Sequence, residues 1–284
     1  MSGRLSQTVR VWPQYLMPKH ALTRCAWWIS NIQWPPFKNA FIRLFCRLFP
    51  VDLSEAEASN PSDYTHFNAF FTRSLKPDAR PVASAQWVAP ADGTLSQLGT
   101  LTGSNKNQLI QAKGLHYSLE ALAGRTTGLD HYRNGQWITI YLAPYDYHRV
   151  HMPAGGRLLQ ATRLPGELFS VSDRTAAIIP KLYAKNERLV AEFAHGQTQF
   201  MVVMVAALMV AGIETVWDNS TERRPQAQAR TTTPAGIELA KAQEMGRFHW
   251  GSTVIVITPP NTAPWRDDLQ PGQTIRLGEA LTAA

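Results

Sequence analysis

The sequence predicts an α+β protein, a helical N-terminal arm followed by a largely antiparallel β body. Three observations predict it. Two amphipathic segments rich in basic and aromatic residues lie between residues 22 and 48. From about residue 84 onward, β-branched and aromatic runs alternate with Gly, Pro, Asn and Asp. The charge divides in the same way. Residues 1–50 carry seven basic side chains (Arg4, Arg10, Lys19, Arg24, Lys38, Arg43, Arg47) and no acidic one, so the whole net charge of +7 on the 284-residue chain lies in its first fifty positions.

In the arm, Leu22, Cys25/Ala26, Ile29 and Ile32 recur at helical spacing and stop before Pro35-Pro36. Phe37, Phe41, Leu44/Phe45 and Leu48 form a second stripe opposite Lys38, Arg43 and Arg47, and Pro50 ends it. Four of the nine tryptophans (Trp12, Trp27, Trp28, Trp34) fall in this arm. Such helices suit the boundary between lipid headgroups and acyl chains, yet most amphipathic helices pack on their own protein, and these residues alone leave both uses open. The expected division is an arm at 1–64 and a body at 65–284.

In the body, Trp137-Ile138-Thr139-Ile140-Tyr141-Leu142 and Ser252-Thr253-Val254-Ile255-Val256-Ile257-Thr258 read as strands. The apolar run Phe200 to Ile213 reads as buried strand because of its valines and Gly212; at 14 residues it is shorter than a membrane span. Asp218 to Gly236 reads as an exposed polar loop. With 44% hydrophobic and 17% charged residues, disorder and collagen-like structure are excluded. Cys25 and Cys46 form neither a disulfide framework nor a metal-ligand spacing, which points to a reducing compartment and no structural zinc. Neither a cleaved secretory signal nor a nucleotide-binding glycine loop is expected.

Three clusters carry chemistry-bearing residues: Pro90-Ala91-Asp92-Gly93, Tyr145-Asp146-Tyr147-His148-Arg149-Val150-His151, and Phe248-His249-Trp250-Gly251-Ser252-Thr253. Together they hold an Asp, two His and a Ser that opens an apolar strand. A serine becomes nucleophilic when a base takes its proton, and the base works best when a carboxylate orients it. Each cluster alone also has a plain reading, as an Asp-Gly turn, as core or surface histidines, or as a turn before a strand.

In order and with their surroundings, these segments resemble the phosphatidylserine decarboxylases, the pyruvoyl-dependent family of phosphatidylethanolamine synthesis, in its bacterial and mitochondrial type. The resemblance rests on Phe67-Asn68-Ala69-Phe70-Phe71-Thr72-Arg73-Ser74-Leu75-Lys76-Pro77 with Arg80-Pro81, on Pro90-Ala91-Asp92-Gly93-Thr94, and on Ala112-Lys113-Gly114 with residues 117–122. It continues through Asp146 to Pro153, Gly166 to Val171, Ala184 to Arg188, Ile213 to Trp217 and Glu244 to Phe248, leading to Gly251-Ser252-Thr253. Two places depart from the family pattern. Trp250 stands where the family usually has Leu, which is expected to alter packing at the cleavage site, and the segment around His195 is atypical, so His195 has no catalytic assignment.

The resemblance implies self-cleavage between Gly251 and Ser252 into chains 1–251 and 252–284, the second of 33 residues, with Ser252 converted to the covalent pyruvoyl cofactor. His151, oriented by Asp92, is the expected base for attack of Ser252 on a strained Gly251 carbonyl. The pyruvoyl then forms a Schiff base with the substrate amine, and His148 is expected to donate a proton or place the substrate carboxylate. Asp146 is expected either behind the histidines or as a local cap, and no metal is expected. The implied partners are phosphatidylserine in an anionic membrane surface and the two cleaved chains, with a homodimer left open and no nucleic acid. The implied location is peripheral, on the cytoplasmic side of the cell membrane. Three other readings stand beside it: a serine hydrolase that keeps an Asp92/His151/Ser252 triad, a non-enzymatic peripheral membrane protein, and a family member whose processing is lost because of Trp250.

Overall fold

Proline marks the boundaries of the arm. A computed structural model describes residues 13–101, 108–112, 114–208, 212–218 and 228–283. Expectations for Arg4, Arg10, Trp12, Lys113 and positions 219–227 lie outside the described residues. Helices α1 (Pro13–Leu16), α2 (Lys19–Ser30) and α3 (Pro35–Leu48) follow one another. Proline is tolerated in a first turn because the N–H groups there have no intrahelical partner, so Pro35-Pro36 both stops α2 and starts α3. At the end of α2 the Ser30 hydroxyl donates back to Ala26 O.

Both longer helices bury basic or polar side chains and leave several apolar ones outside. Helix α2 buries Lys19, Thr23 and Ser30, and α3 buries Lys38 with Ile42 and Phe45. Leu22, Trp28, Trp34, Leu44 and Leu48 point to solvent, Trp28 at 67% and Leu48 at 68% exposure. Lys38, expected on the solvent side, instead donates inward to Asn39 Oδ1 (2.8 Å), Pro61 O (3.3 Å) and Ser62 O (3.2 Å). Lys19 pairs with Glu167 at 2.7 Å and lies 4.0 Å over the Phe169 ring. The buried side of α3 packs on α4 (Phe67–Phe71), where Ile42, Phe45, Tyr64, Phe67, Phe70 and Phe71 make one aromatic cluster.

The body is built from β1 (Gly93–Thr100), β2 (Gln108–Ala112), β3 (Leu115–Ser118), β4 (Gln136–Leu142), β5 (Arg149–His151), β6 (Gly156–Leu164) and β7 (Arg188–His195). It continues with β8 (Thr198–Val205), β9 (Ile213–Thr215), β10 (Arg230–Thr232), β11 (Glu238–Leu239), β12 (Glu244–Phe248), β13 (Ser252–Thr258) and β14 (Thr274–Ile275). Among the described residues the main sheet runs β10-β6-β7-β8-β13-β4-β1-β14, with β11 also on β6, and every pairing is antiparallel. A second sheet runs β5-β12-β9, and β2 pairs β3.

Strands β4 and β13, both read from their β-branched runs, lie side by side in the middle of the main sheet. Residues Ser252 to Thr258 are buried along the whole of β13, as befits a strand covered on both faces. Two expectations are refined. Among the described residues of the apolar run from Phe200, β8 ends at Val205, where the pairing with β7 and β13 stops, and Ile213 opens β9 in the second sheet. The polar stretch after Asp218 contributes an edge strand, β10, whose Thr231 hydroxyl meets that of Thr162 at 2.9 Å. Gly93 opens β1 because a Cβ there would collide with Tyr141 O of β4, so the Asp-Gly pair is required by close packing of two strands.

Candidate active site

β12 and β13 belong to different sheets, and His249, Trp250 and Gly251 carry the chain from one to the other. Ser252 is therefore the first residue of a central strand, in register with Leu142 of β4. Its Oγ is buried and has no hydrogen-bond partner. Thr139, Thr253 and Thr258 also hold unpartnered hydroxyls, so isolation alone does not mark Ser252; its position at the sheet-to-sheet link does.

Backbone strain, expected at Gly251, sits one residue earlier. Gly251 has no positive φ, and a Cβ there would meet only Leu142 O at 3.7 Å. Trp250 has a φ of 107°, a conformation that costs an L residue roughly 1–3 kcal/mol and persists only where the surroundings hold it. Trp250 is packed against the aromatic residues of α4. Its ring stacks on Phe71 (5.4 Å, 20°) and lies against Phe67 at 5.1 Å.

Phe71 also touches His148, whose ring centroid is 4.1 Å from its own. His148 is fully buried on the turn before β5. Its Nδ1 lies 2.8 Å from Asp146 O, and a carbonyl only accepts, so Nδ1 carries the proton and Nε2 keeps its lone pair. That Nε2 has no partner. Burial drives the His148 pKa down to about 3, so the ring is neutral. A neutral ring of this tautomer has no proton on Nε2, so at that atom His148 must accept a proton before it can give one.

His151 ends β5. Its Nδ1 donates to Ala242 O (2.8 Å) and its Nε2 accepts from the Tyr147 hydroxyl (3.0 Å). Burial lowers its pKa, with the Ala242 bond acting the other way. Both ring nitrogens are thus in the state a general base needs, with Tyr147 occupying the basic one.

Asp92 does not orient His151 by a hydrogen bond. Its carboxylate is gripped by Arg80, from Nε at 3.0 and 3.1 Å and Nη2 at 2.6 Å, and accepts from Leu277 N at 2.8 Å. Arg80 also holds Glu55 (2.7 Å), which pairs in turn with Arg276 (2.9 Å). Leu277 and Arg276 belong to the last 33 residues, so Asp92 and Glu55 fasten that segment to the rest of the body. The lasting Asp92-His151-Ser252 relay of a serine hydrolase is not assembled.

Asp146 has two duties. Its carboxylate Oδ2 accepts from Ala143 N (2.7 Å), capping the turn, and its backbone carbonyl fixes the His148 tautomer. Burial raises its pKa to about 6.

Several residues in the motif segments had no expected role. Arg73, buried beneath the same turn, donates to Tyr145 O (3.1 Å) and Asp146 O (3.4 Å). Arg149 ties β5 to Thr72 O (2.9 Å), Ser74 Oγ (2.6 Å) and Glu244 (2.9 Å). His249 donates from Nε2 to Glu214 (3.0 Å) and accepts at Nδ1 from Asn68 (2.8 Å), which anchors the residue before Trp250. The signal that could have found them is a polar side chain inside an apolar or turn segment, Asn68 among phenylalanines and Arg73 after them.

Comparison with known proteins bears on the whole chain. A family profile described as Phosphatidylserine decarboxylase matches residues 67–283, and one described as PSD matches residues 9–50. The chain is 42% identical over 283 residues to a phosphatidylserine decarboxylase proenzyme of Methylibium petroleiphilum, covering 99% of each. It is 43% identical to the proenzymes of Methylococcus capsulatus (94% of each) and Nitrosococcus oceani (99% of this chain, 94% of the relative). With matched profiles spanning the arm and the body, and the Ser252 and His148 segments inside the larger match, the chain belongs to the phosphatidylserine decarboxylase family.

Proposed function

We propose that this protein decarboxylates phosphatidylserine to phosphatidylethanolamine and CO2 with a pyruvoyl group that it makes from its own Ser252. The observation that carries the reading is Ser252 itself, an isolated buried hydroxyl at the start of a central strand, two residues after the strained Trp250.

In self-cleavage the Ser252 Oγ bonds to the Gly251 carbonyl carbon, the Gly251–Ser252 C–N bond breaks, and the hydroxyl proton ends on the freed amine. His151 is the base we assign to this transfer; its Nε2 lone pair becomes available when the Tyr147 hydroxyl lets go. Removal of the Ser252 α-proton then expels Gly251 as a carboxylate, and water replaces the resulting imine nitrogen, which leaves as ammonia. The new 33-residue chain stays bound because β13 is paired on both sides and Leu277 and Arg276 are held by Asp92 and Glu55.

The pyruvoyl group supplies an electron sink for the pair left when CO2 departs. The site around Ser252 suits it: a polar oxygen there meets no competing hydrogen bond, and His148 offers a free lone pair in the same aromatic surroundings. His148 accepts the proton that the substrate ammonium must lose to react, and returns it to the α-carbon after CO2 has left. This order agrees with its neutral state in the empty site.

The acyl chains of the substrate belong in a bilayer, and the arm offers a surface for one. Leu16, Trp28, Trp34, Leu44 and Leu48 are exposed beside Arg24, Arg43 and Arg47, the pattern of a helix lying in an anionic interface. No described helix is long and apolar enough to cross a membrane. We place the protein peripherally on an anionic leaflet, on the cytoplasmic side.

The test is one preparation measured in two ways. Intact mass should give two chains, the smaller beginning at the former Ser252 and reacting with carbonyl reagents, and phosphatidylserine vesicles should release CO2. A single 31.7 kDa species sinks the reading.

A further inference from the structure

We propose that Trp250 is a positioning residue for self-cleavage and that the arm supplies part of the grip that holds it. The inference rests on the reading of Ser252 as the self-cleaving nucleophile. Its ground is the link between the two sheets. The chain leaves β12 at Phe248 and enters β13 at Ser252, so the Gly251 carbonyl is presented by the residues on either side of it. Ser252 is fixed by the ladders to β4, and Thr253 by those to β4 and β8. On the other side, the backbone N–H of His249 donates to Gly212 O at 3.2 Å, and its side chain is held between Glu214 and Asn68.

Trp250 is turned to a φ of 107°, which a bulky L residue keeps only under constraint. The constraint comes from three elements. Phe71 and Phe67 of α4 hold the indole face. Phe45 of α3 meets it edge-on at 6.3 Å and 88°. Ser30, the last residue of α2, accepts from the indole Nε1 at 3.2 Å. Gly251 has open space and no positive φ, so it leaves the carbonyl accessible without dictating where it points. The direction of the peptide between residues 250 and 251 is therefore set by where the indole is seated. Holding both neighbours of the reacting carbon limits the search for attack geometry. The same arm that faces outward with Trp28 and Leu48 faces inward with Ser30 and Phe45, so it belongs to the wall of the cleavage site.

The step assigned to this grip is the first one, formation of the Ser252 Oγ–Gly251 ester with cleavage of the C–N bond. Self-cleavage of newly synthesised full-length chain is followed by intact mass over time, with and without hydroxylamine, which cuts the ester. Trp250→Gly accepts the backbone angle without strain but lacks the ring; it should cleave at least tenfold more slowly, and hydroxylamine should not restore the rate, because the block precedes the ester. Trp250→Phe, which keeps a ring to stack on Phe71, should recover most of the rate. Ser30→Ala and Phe45→Ala, remote in sequence, should each slow cleavage severalfold; both should keep the far-ultraviolet spectrum and a cooperative melt, with the midpoint lowered in Phe45→Ala because a core ring is removed. Wild-type rates in Trp250→Gly, or its rescue by hydroxylamine, overturn the positioning role and leave Ser252 as nucleophile. Wild-type rates in both Ser30→Ala and Phe45→Ala overturn the arm's part, and they decide the matter if Trp250→Gly does not fold. Absence of cleavage in the unaltered chain overturns instead the underlying reading of Ser252.

Discussion

The β body keeps two chemistry-bearing polar groups buried without partners, whereas the arm keeps several large apolar side chains exposed. Ser252 Oγ and His148 Nε2 lie inside the protein with nothing to bond, although such a group ordinarily costs about 1–3 kcal/mol. Leu16, Trp28 and Leu48 stand in water, although full burial of a large apolar side chain is worth roughly 1.5–3 kcal/mol. Each region forgoes stability, and in the function proposed above each shortfall is made good by something from outside the folded chain: substrate in the body, a lipid surface at the arm. The two regions meet at Trp250, which is strained at the backbone and seated against α2, α3 and α4.

The body half of the comparison breaks most completely at Ser252. Ser252→Ala should remain one 31.7 kDa chain with no CO2 release, read by intact mass and a gas-release assay. Its stability should be at least that of the parent, because an unpartnered hydroxyl is removed from the core; a loss of stability would mean that the hydroxyl had a structural partner after all. Next in size is His148→Ala. It should cleave, since His151 is untouched, but decarboxylate about 10²- to 10⁴-fold more slowly, the usual worth of a proton-transferring side chain. Failure to cleave would move the base of the first stage from His151 to His148.

How much of this was legible follows from what periodicity can carry. The two arm helices and strands β4 and β13 were readable because proline fixes helix ends and β-branched runs fit a sheet buried on both faces. Which face of an amphipathic helix turns outward is not written in its period. Lys38 therefore looked solvated, and only its contacts with Pro61 and Ser62 show it inward. Asp92, His148, His151 and Ser252 were legible as candidates from motif order, but their hydrogen bonds were not. Arg80 competes for Asp92 from twelve positions upstream, a pairing that local spacing does not reveal. Strain was expected at Gly251 because glycine permits it; its presence at Trp250 depends on rings from α3 and α4 and on the Ser30 hydroxyl of α2.

A smaller effect sharpens the electrostatics of the body. His148 has its pKa lowered to about 3 by burial, so as pH falls below the unfolded value of 6.5 the unfolded chain binds the proton and folding stability drops. Asp146 has its pKa raised to about 6 by burial, so between there and 3.8 the folded chain binds the extra proton and stability rises as pH falls. Each contributes about 1.4 kcal/mol per pH unit in the shared window, with opposite sign. Asp146→Asn should therefore make the protein more acid-sensitive between pH 6 and 4, and His148→Gln more acid-tolerant, read from urea midpoints at both values. Parallel shifts in the two variants would show that the two groups titrate together.

The arm gives the smallest expected effect and the cleanest separation of its two faces. Arg43 and Arg47 are on the outward side of α3, so neutralising either one removes charge from the lipid side and touches nothing that holds Trp250. Arg43→Gln should weaken binding to anionic vesicles by about 1 kcal/mol, roughly fivefold, and the difference should shrink as added salt shortens the screening length. Its rate of self-cleavage should equal that of the unaltered chain. Ser30→Ala should do the reverse, slowing cleavage with vesicle binding unchanged, because its hydroxyl faces the indole and not the solvent. A vesicle-binding loss in Ser30→Ala, or a cleavage loss in Arg43→Gln, would mean that the two faces of the arm do not act independently, and that seating on the membrane and seating of Trp250 are one event.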